Sequence, residues 1–483
     1  MQRFRTPRVI MLIAFAATSA INYLFSLAAG WLLLPGDFGL LAFAQTLLLI
    51  SGLLLNSGVP WFVTRALLAS PAQDHAPVVR GGLLANSGLA LALTGLLPVL
   101  YVLGPLRSGL ESDGVVALVA AAFVPMALLA VARGVAQGRE HFTAVAVLTV
   151  AEIATKAVAG VGLVLLGFGA AGAIAGFALG AIVAATFGLL YLWRALAIGL
   201  RGAIRFPHLR STLPLFGSLL GLALILNLDL LALKLVAGDE RILTGYYQAG
   251  IVLANLPYYL VTAALVPILF TQLAREKSLV RGAGVLGETL GLTATLILPL
   301  EFILILVPGR ALAILFPAAY APGAATLQLL AIGNALLILV ALLATAYQAI
   351  GQAQLAAKIL LATAVLEPFA LAGAVPLWRG VGAATVFIAA AAAALVGLSA
   401  AYLREVGWDR VRGIGDWFRR YLGALAAGGV VGGLAVLLGL PGEAAMVLAA
   451  IAYAGAALAL RLIKLPARQT QGPYPLPALG GED

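Results

Sequence analysis

Cysteine is absent from this 483-residue chain. That excludes a disulfide framework, a thiolate-bound metal and a cysteine nucleophile. Histidine is nearly absent: the three copies stand far apart, at 75, 141 and 208, which argues against a haem-ligating or zinc-binding membrane enzyme. Charge is scarce too. Only 10% of the residues are Asp, Glu, Lys or Arg, against about 25% in an ordinary soluble domain. No Gly-x-x-x-x-Gly-Lys-Ser/Thr run occurs, so no phosphate-cradling loop of that kind couples ATP to work. The connectors between apolar runs are too short to form soluble domains or to carry the catalytic carboxylates of a membrane glycosyltransferase or polymerase.

What remains is apolar. Hydrophobic residues make up 63% of the chain, and mean hydropathy is +1.08. Such a surface suits a bilayer and not water. Apolar runs recur near 10–34, 38–62, 79–104, 115–137, 143–166, 170–193, 213–236, 245–271, 282–307, 324–348, 354–376, 381–403, 418–440 and 443–463. Each can cross a core ~30 Å thick at ~1.5 Å per residue. The expected fold is an all-α polytopic membrane protein with about 14 transmembrane helices. The first run follows Arg3, Arg5 and Arg8 but continues to Leu34, too long for a signal-peptide core, so it is read as a retained span.

The net charge of +10 comes from 29 basic and 19 acidic residues. In a soluble protein that excess suggests nucleic acid; here the charges sit in short connectors, and the membrane surface is the better explanation. With the N-terminus inside, 23 basic residues fall in inside segments and four outside, namely Arg107, Arg241, Arg310 and Arg379. This positive-inside bias sets both termini in the cytoplasm. The Pro-rich tail at 466–483 is expected to be disordered.

The chain repeats itself. A shift of 213 residues lays 138–171 on 351–384, matching Gly138, Gly160, Gly167 and Gly169 to Gly351, Gly373, Gly380 and Gly382. The turn GFGAA (167–171) falls on GVGAA (380–384). An offset of 206 matches Gly39 to Gly245, each opening the second span of its half, and brings Asn22 and Asp229 to similar depth. Six spans per half make the repeat parallel, with a pseudo-twofold axis along the membrane normal. The expected organisation is an N-terminal lobe at 1–200, a C-terminal lobe at 201–405, a helix pair at 406–465 and the tail. Two lobes about a midplane site are a transporter plan; a non-transporting scaffold is the other reading.

Particular runs resemble a known family. LLLPGDFGLLAFAQ (32–45) with NSGVPWFVTR (56–65) resembles the first hairpin of bacterial polysaccharide-export flippases. LDLLALKLVAGDERILTGYYQAG (228–250) resembles their seventh and eighth spans, and LFPAAYAPGAATLQLLAIG (315–333) the start of the tenth. RGVAQGREHF (133–142) and YQAIGQAQLAAK (347–358) resemble the inside ends of the fourth and tenth. The family is the oligosaccharide flippase branch of the multidrug/oligosaccharidyl-lipid/polysaccharide superfamily. The resemblance implies a monomeric, non-enzymatic flippase for undecaprenyl-pyrophosphate-linked oligosaccharides, such as O-antigen repeat units. Its implied partners are that lipid-linked oligosaccharide, membrane lipids, a polysaccharide polymerase and a chain-length regulator. Two alternatives stand beside it: a flippase for the peptidoglycan lipid precursor, and a cation-coupled multidrug exporter.

Ionisable groups at membrane depth are costly, so each is a functional candidate. Glu152 and Lys156 are four apart on one face of the fifth span, either a self-neutralised pair or a cavity wall. Asp229 matches the aspartate of the resembled family and is a candidate for ion coupling, as are Glu152 and Glu367, the latter just before Pro368. Lys234 either snorkels to the outer interface or, with Lys156, Arg65 and Asn22, meets the headgroup. Glu288 and Glu301 are expected at interfaces. No cofactor is expected; a proton or sodium gradient is the candidate driving force.

Overall fold

The computed structural model describes residues 5–69, 75–196, 202–206, 212–236 and 240–460. The tail at 466–483 and several orienting cations, among them Arg3, Arg201, Arg210, Arg461, Lys464 and Arg468, lie outside them. Every regular element among the described residues is a helix. In order come α1 (Arg5–Leu32), α2 (Pro35–Ala69), α3 (His75–Val102), the short α4 (Arg107–Leu110), α5 (Asp113–Gly138), α6 (Phe142–Leu163) and α7 (Gly169–Leu196). The second half holds α8 (Leu213–Ile225), α9 (Leu228–Val236), α10 (Arg241–Glu276), α11 (Leu279–Leu292), α12 (Leu298–Leu306), α13 (Pro308–Leu315), α14 (Ala324–Ala349) and α15 (Ala353–Val406). Then follow α16 (Trp408–Leu437) and α17 (Gly442–Ala459). Below, the end of the bundle where α1 begins is called proximal and the other end distal.

By length and composition, eight stretches among the described residues can cross a membrane, or nine when the bent pair α8–α9 counts as one span. That measure falls short of the expected fourteen, partly because two of the eight are hairpins. The α15 helix has 54 residues, ~80 Å if straight and far more than a bilayer needs. It breaks at Arg379, whose φ is 53°. A Cβ on Gly397 would lie 2.9 Å from the Ile359 side chain, so the two arms run side by side. The other hairpin joins α6 to α7 through a wide π turn at Val164–Phe168, where Gly167 has φ 92°. Glycine adopts that backbone without the Cβ clash other residues meet.

The two halves use the same packing plan. In the first, α6 packs on α1, α5 on α2, and α7 on α5; in the second, α15 packs on α8 and α9, α14 on α10, and α15 on α14. The seam between the halves is α2 against α10. There the glycines matched by the repeat meet. A Cβ on Gly39 would stand 2.8 Å from the Gly245 nitrogen, and one on Gly245 would run into the Pro35 carbonyl. Small residues let helices approach this closely in lipid. Contacts divide the chain into one unit through Val411 and a second from Arg412; the two expected lobes belong to the first.

Further bonds across the seam gather at the distal end. Trp31 donates to the Leu315 carbonyl at 2.8 Å, and Tyr320 to the Leu33 carbonyl at 3.1 Å. Phe38 rests edge-on against Tyr320, with ring centres 5.8 Å apart. Overpacking such a seam costs about 1–3 kcal/mol. Gly245→Val is therefore expected to part α2 from α10, read as a longer distance between spin labels at positions 107 and 236. An unchanged distance would show that the seam has slack.

Candidate functional site

Among the described residues of the first half, one lysine is buried. Lys156 of α6 is 8% exposed and donates to the Asn22 side-chain oxygen on α1. Its ammonium lies 5.0 Å from the Phe25 ring centre and 4.6 Å from that of Phe177. The two rings stand nearly perpendicular, at 78°. Aromatic faces attract cations, and more strongly where water is excluded. Gly176 and Gly180 of α7 leave room for the α6 backbone around Lys156, which explains how this helix pair comes close enough to enclose the side chain.

Glu152 does not pair with Lys156, although the four-residue spacing allowed it. Its carboxylate takes a 2.5 Å ion pair from Arg133 of α5. Arg133 also donates to the Leu148 carbonyl at 3.4 Å. One terminal nitrogen of the guanidinium, with two N–H groups, meets both acceptors. Lys156 and Asn22 are thus brought together, and Glu152 is held at a separate pair that is partly exposed.

The second half buries carboxyl groups. Its first span breaks at Leu226 and Asn227, bending α8 from α9 by 45°. Asn227 steadies the break by donating to the Ala223 carbonyl at 2.7 Å. Asp229 then falls in the first turn of α9, where unpaired N–H groups favour an anion. It is 1% exposed. One carboxylate oxygen accepts the Leu230 N–H at 2.7 Å, and the other accepts the Tyr247 hydroxyl of α10 at 2.5 Å. Glu367 of α15 is 2% exposed and lies within electrostatic range of both Asp229 and Tyr247. Neither of its oxygens has a hydrogen-bond partner among the described residues. Two carboxyl groups and a phenol offer only oxygen ligands, a set suited to a proton or a hard cation. Among the described residues no group of three or more His, Asp or Glu side chains forms a metal site.

The other expected residues scatter. Lys234 does not snorkel: it is 2% exposed and its ammonium meets Glu111 at 2.6 Å. Arg65 is exposed near the proximal end of α2 and joins neither cluster. Glu288 is exposed as expected of an interface residue. Glu301 overturns the same expectation: it is 1% exposed, with both oxygens unpartnered among the described residues. Phe25, Phe177, Tyr247, Arg133 and Glu111 were missed. Only Tyr247 had a usable signal, a phenol in the run LTGYYQAG that follows the Asp229 helix.

The Arg133–Glu152 pair suggests a direct test. Glu152→Gln would leave a partly buried guanidinium with an amide partner, costing roughly 1–3 kcal/mol. The chain's melting temperature is expected to fall, and Arg133→Gln in the same chain should recover part of it. No recovery would mean that the pair is not coupled.

Residues 9–272, more than half of the chain, match the model of the family described as "Polysaccharide biosynthesis protein". No curated protein sequence matches. Among solved structures, the fold is similar to "Lipid II flippase MurJ, inward closed conformation", with TM-score 0.74 and 12% identity over 94% of this chain and 99% of that one. It is also similar to the "Inward-facing conformation of a multidrug resistance MATE family transporter of the MOP superfamily", with TM-score 0.58 and 13% identity over 82% and 94%. The corresponding outward-facing conformation gives TM-score 0.51 and 16% identity over 82% and 95%. At these identities the likeness is one of fold.

Proposed function

Because this chain belongs to the polysaccharide biosynthesis protein family, we propose that it flips undecaprenyl-pyrophosphate-linked oligosaccharides from the inner to the outer leaflet of the bacterial cytoplasmic membrane. The distal end is then the outer face, and both termini are cytoplasmic, as the arginine bias supports. The observation that carries the reading is Lys156, a buried ammonium caged by Asn22, Phe25 and Phe177 with its matching Glu152 taken by Arg133. An ammonium held by an amide oxygen and two rings, with no ion pair among the described residues, can offset a diphosphate charge. The distal bonds across the α2–α10 seam fit an inward-facing state of an alternating-access cycle.

Coupling is assigned to Asp229 and Glu367, with Tyr247 between them. Uptake of H+ or Na+ there would bias the cycle if the inward and outward states bind the ion unequally. Arg65 and Lys234 supply further positive charge toward the two mouths, and the pair α16–α17 is assigned to guiding the lipid tail.

The similarity of fold to a lipid II flippase favours a second reading, in which the glycan is the peptidoglycan precursor. Reconstituted vesicles separate the readings. A fluorescent prenyl-diphosphate oligosaccharide should reach the outer leaflet faster than the lipid-linked disaccharide-peptide, and a hydrophobic drug should not accumulate. Transport of the drug alone would leave the exporter reading.

A further inference from the structure

At the distal end one carboxylate of the first half bridges two cations of the second. Glu111 Oε1 lies 2.6 Å from the Lys234 ammonium at the end of α9. Its Oε2 lies 2.9 Å from the Arg241 guanidinium at the start of α10. Lys234 is buried, whereas the Arg241 side chain is 61% exposed. Beside them Ser108 of α4 donates to the Leu235 carbonyl at 3.3 Å.

We propose that Lys234 and Arg241 form an exit site for the diphosphate of the transported lipid, and that the Glu111 carboxylate occupies this site whenever the distal end is closed. The proposal rests on the flippase reading and adds to it a place of release and a group that drives it.

Three features carry it. First, the pattern is that of an anion site already filled: two cations on adjoining helix ends, each meeting its own oxygen of one anionic group. A diphosphate offers the same bridging oxygens with more negative charge, and charge-assisted bonds of this kind are the strong ones. Second, the occupant and the cations come from opposite halves. Opening the seam must withdraw Glu111 and leave Lys234 beside Arg241, two like charges that then need an anion. Third, Glu111 is held by a turn and not by a helix interior. It ends α4 in a left-handed conformation, φ 62°, with its N–H bonded to the Arg107 carbonyl at 3.1 Å. That conformation is uncommon outside glycine and asparagine. A carboxylate mounted on such a turn is withdrawn when α4 parts from α9 and comes back when they meet. Its return restores the two ion pairs and displaces the diphosphate outward.

The chain's lack of cysteine allows a clean test. The full chain in detergent is spin-labelled through Arg107→Cys and Val236→Cys, which leaves the Ser108 bond intact. It is titrated with inorganic pyrophosphate, with geranylgeranyl pyrophosphate, and with sulfate at matched ionic strength. Pyrophosphate is expected to lengthen the label distance and sulfate to do so far less. In Glu111→Asp, whose carboxylate reaches less far, the response should appear at a concentration at least tenfold lower. Adding Lys234→Gln should abolish it. Glu111→Gln supplies a second readout: pyrophosphate should raise its melting temperature more than that of the unaltered chain. Equal responses to both diphosphates assign the site to the diphosphate group itself, and a response to the prenyl form alone assigns it to the lipid-borne one. The proposal fails if Glu111→Asp responds no more readily than the unaltered chain, or if Lys234→Gln leaves the response in place. Neither binding readout needs flipping. Loss of anion binding with flipping intact overturns the exit site alone, and anion binding without flipping of any glycan overturns the transport reading.

Discussion

Lys156→Met lowers the rate of prenyl-diphosphate glycan flipping at least ~10-fold, since a charge-assisted hydrogen bond is worth ~1.5–3 kcal/mol. The substitution keeps the length and flexibility of the side chain and removes only the ammonium. Its apolar end suits the space between Phe25 and Phe177, so insertion and melting temperature should hold or improve. The loss therefore reads the charge and not the packing. Lys156→Arg is expected to rescue poorly. The guanidinium is wider than the ammonium, and the cage is closed by rings 5.8 Å apart and by the Asn22 oxygen. Stripping the cage by Phe177→Leu should weaken transport less, by the ~0.5–2 kcal/mol of one cation–π contact. The measurement is protection of a leaflet-labelled lipid-linked glycan in vesicles, scored against the amount of inserted protein. A full flipping rate in Lys156→Met would make this lysine a packing residue and remove it from the headgroup path.

The sequence made the path of the backbone readable and left the choice of partners dark. Apolar runs and their arginine flanks placed the helices, and the repeat matched Gly39 to Gly245, which turn out to touch across the seam. It matched Gly167 to Gly380, and both mark hairpins, although in the second the strained φ falls one residue earlier, on Arg379. Such features are local: they depend on hydropathy, turn geometry and spacing along one chain segment. Partner choice depends on which faces of separate helices meet. Glu152 and Lys156 share a face by spacing, yet Arg133 on a neighbouring helix takes the carboxylate. Lys234 had an interface within reach, and Glu111, 123 residues away, claimed it instead. Glu301 lies near the end of an apolar run, and its depth along the helix was legible while its burial was not. Nearness to a helix end predicts exposure only when the side chain itself faces lipid or water, and Glu301 is the one buried residue of α12 while its neighbours along that helix are partly exposed.

Asp229→Asn and Glu367→Gln are each expected to slow gradient-driven flipping at least ~10-fold, and the double variant should be scarcely slower than either single one. The amide at 229 keeps its oxygen for the Leu230 N–H, and its NH2 can donate to the Tyr247 hydroxyl oxygen where the carboxylate accepted from it, so the bend between α8 and α9 can survive. What disappears is the group that can exchange a proton or hold a cation. Glu367 stands in the same buried region on the facing helix, with no other partner among the described residues. Two groups that share one ion act as a unit, and removing either removes the unit; independent sites would give additive losses. Tyr247→Phe is a graded control. It deletes one hydrogen bond, worth ~0.5–1.5 kcal/mol, so a loss of only ~2- to 10-fold is expected. The test imposes a pH gradient or a sodium gradient across the vesicle in turn. In the unaltered chain one of the two should accelerate flipping; in Asp229→Asn neither should, while passive exchange under no gradient continues. That split separates a coupling group from a merely structural one, because misfolding would depress both rates together. Additive losses in the double variant, or a gradient response that survives Asp229→Asn, would move the coupling ion elsewhere, and the buried, unpartnered Glu301 would become the next carboxyl group to replace.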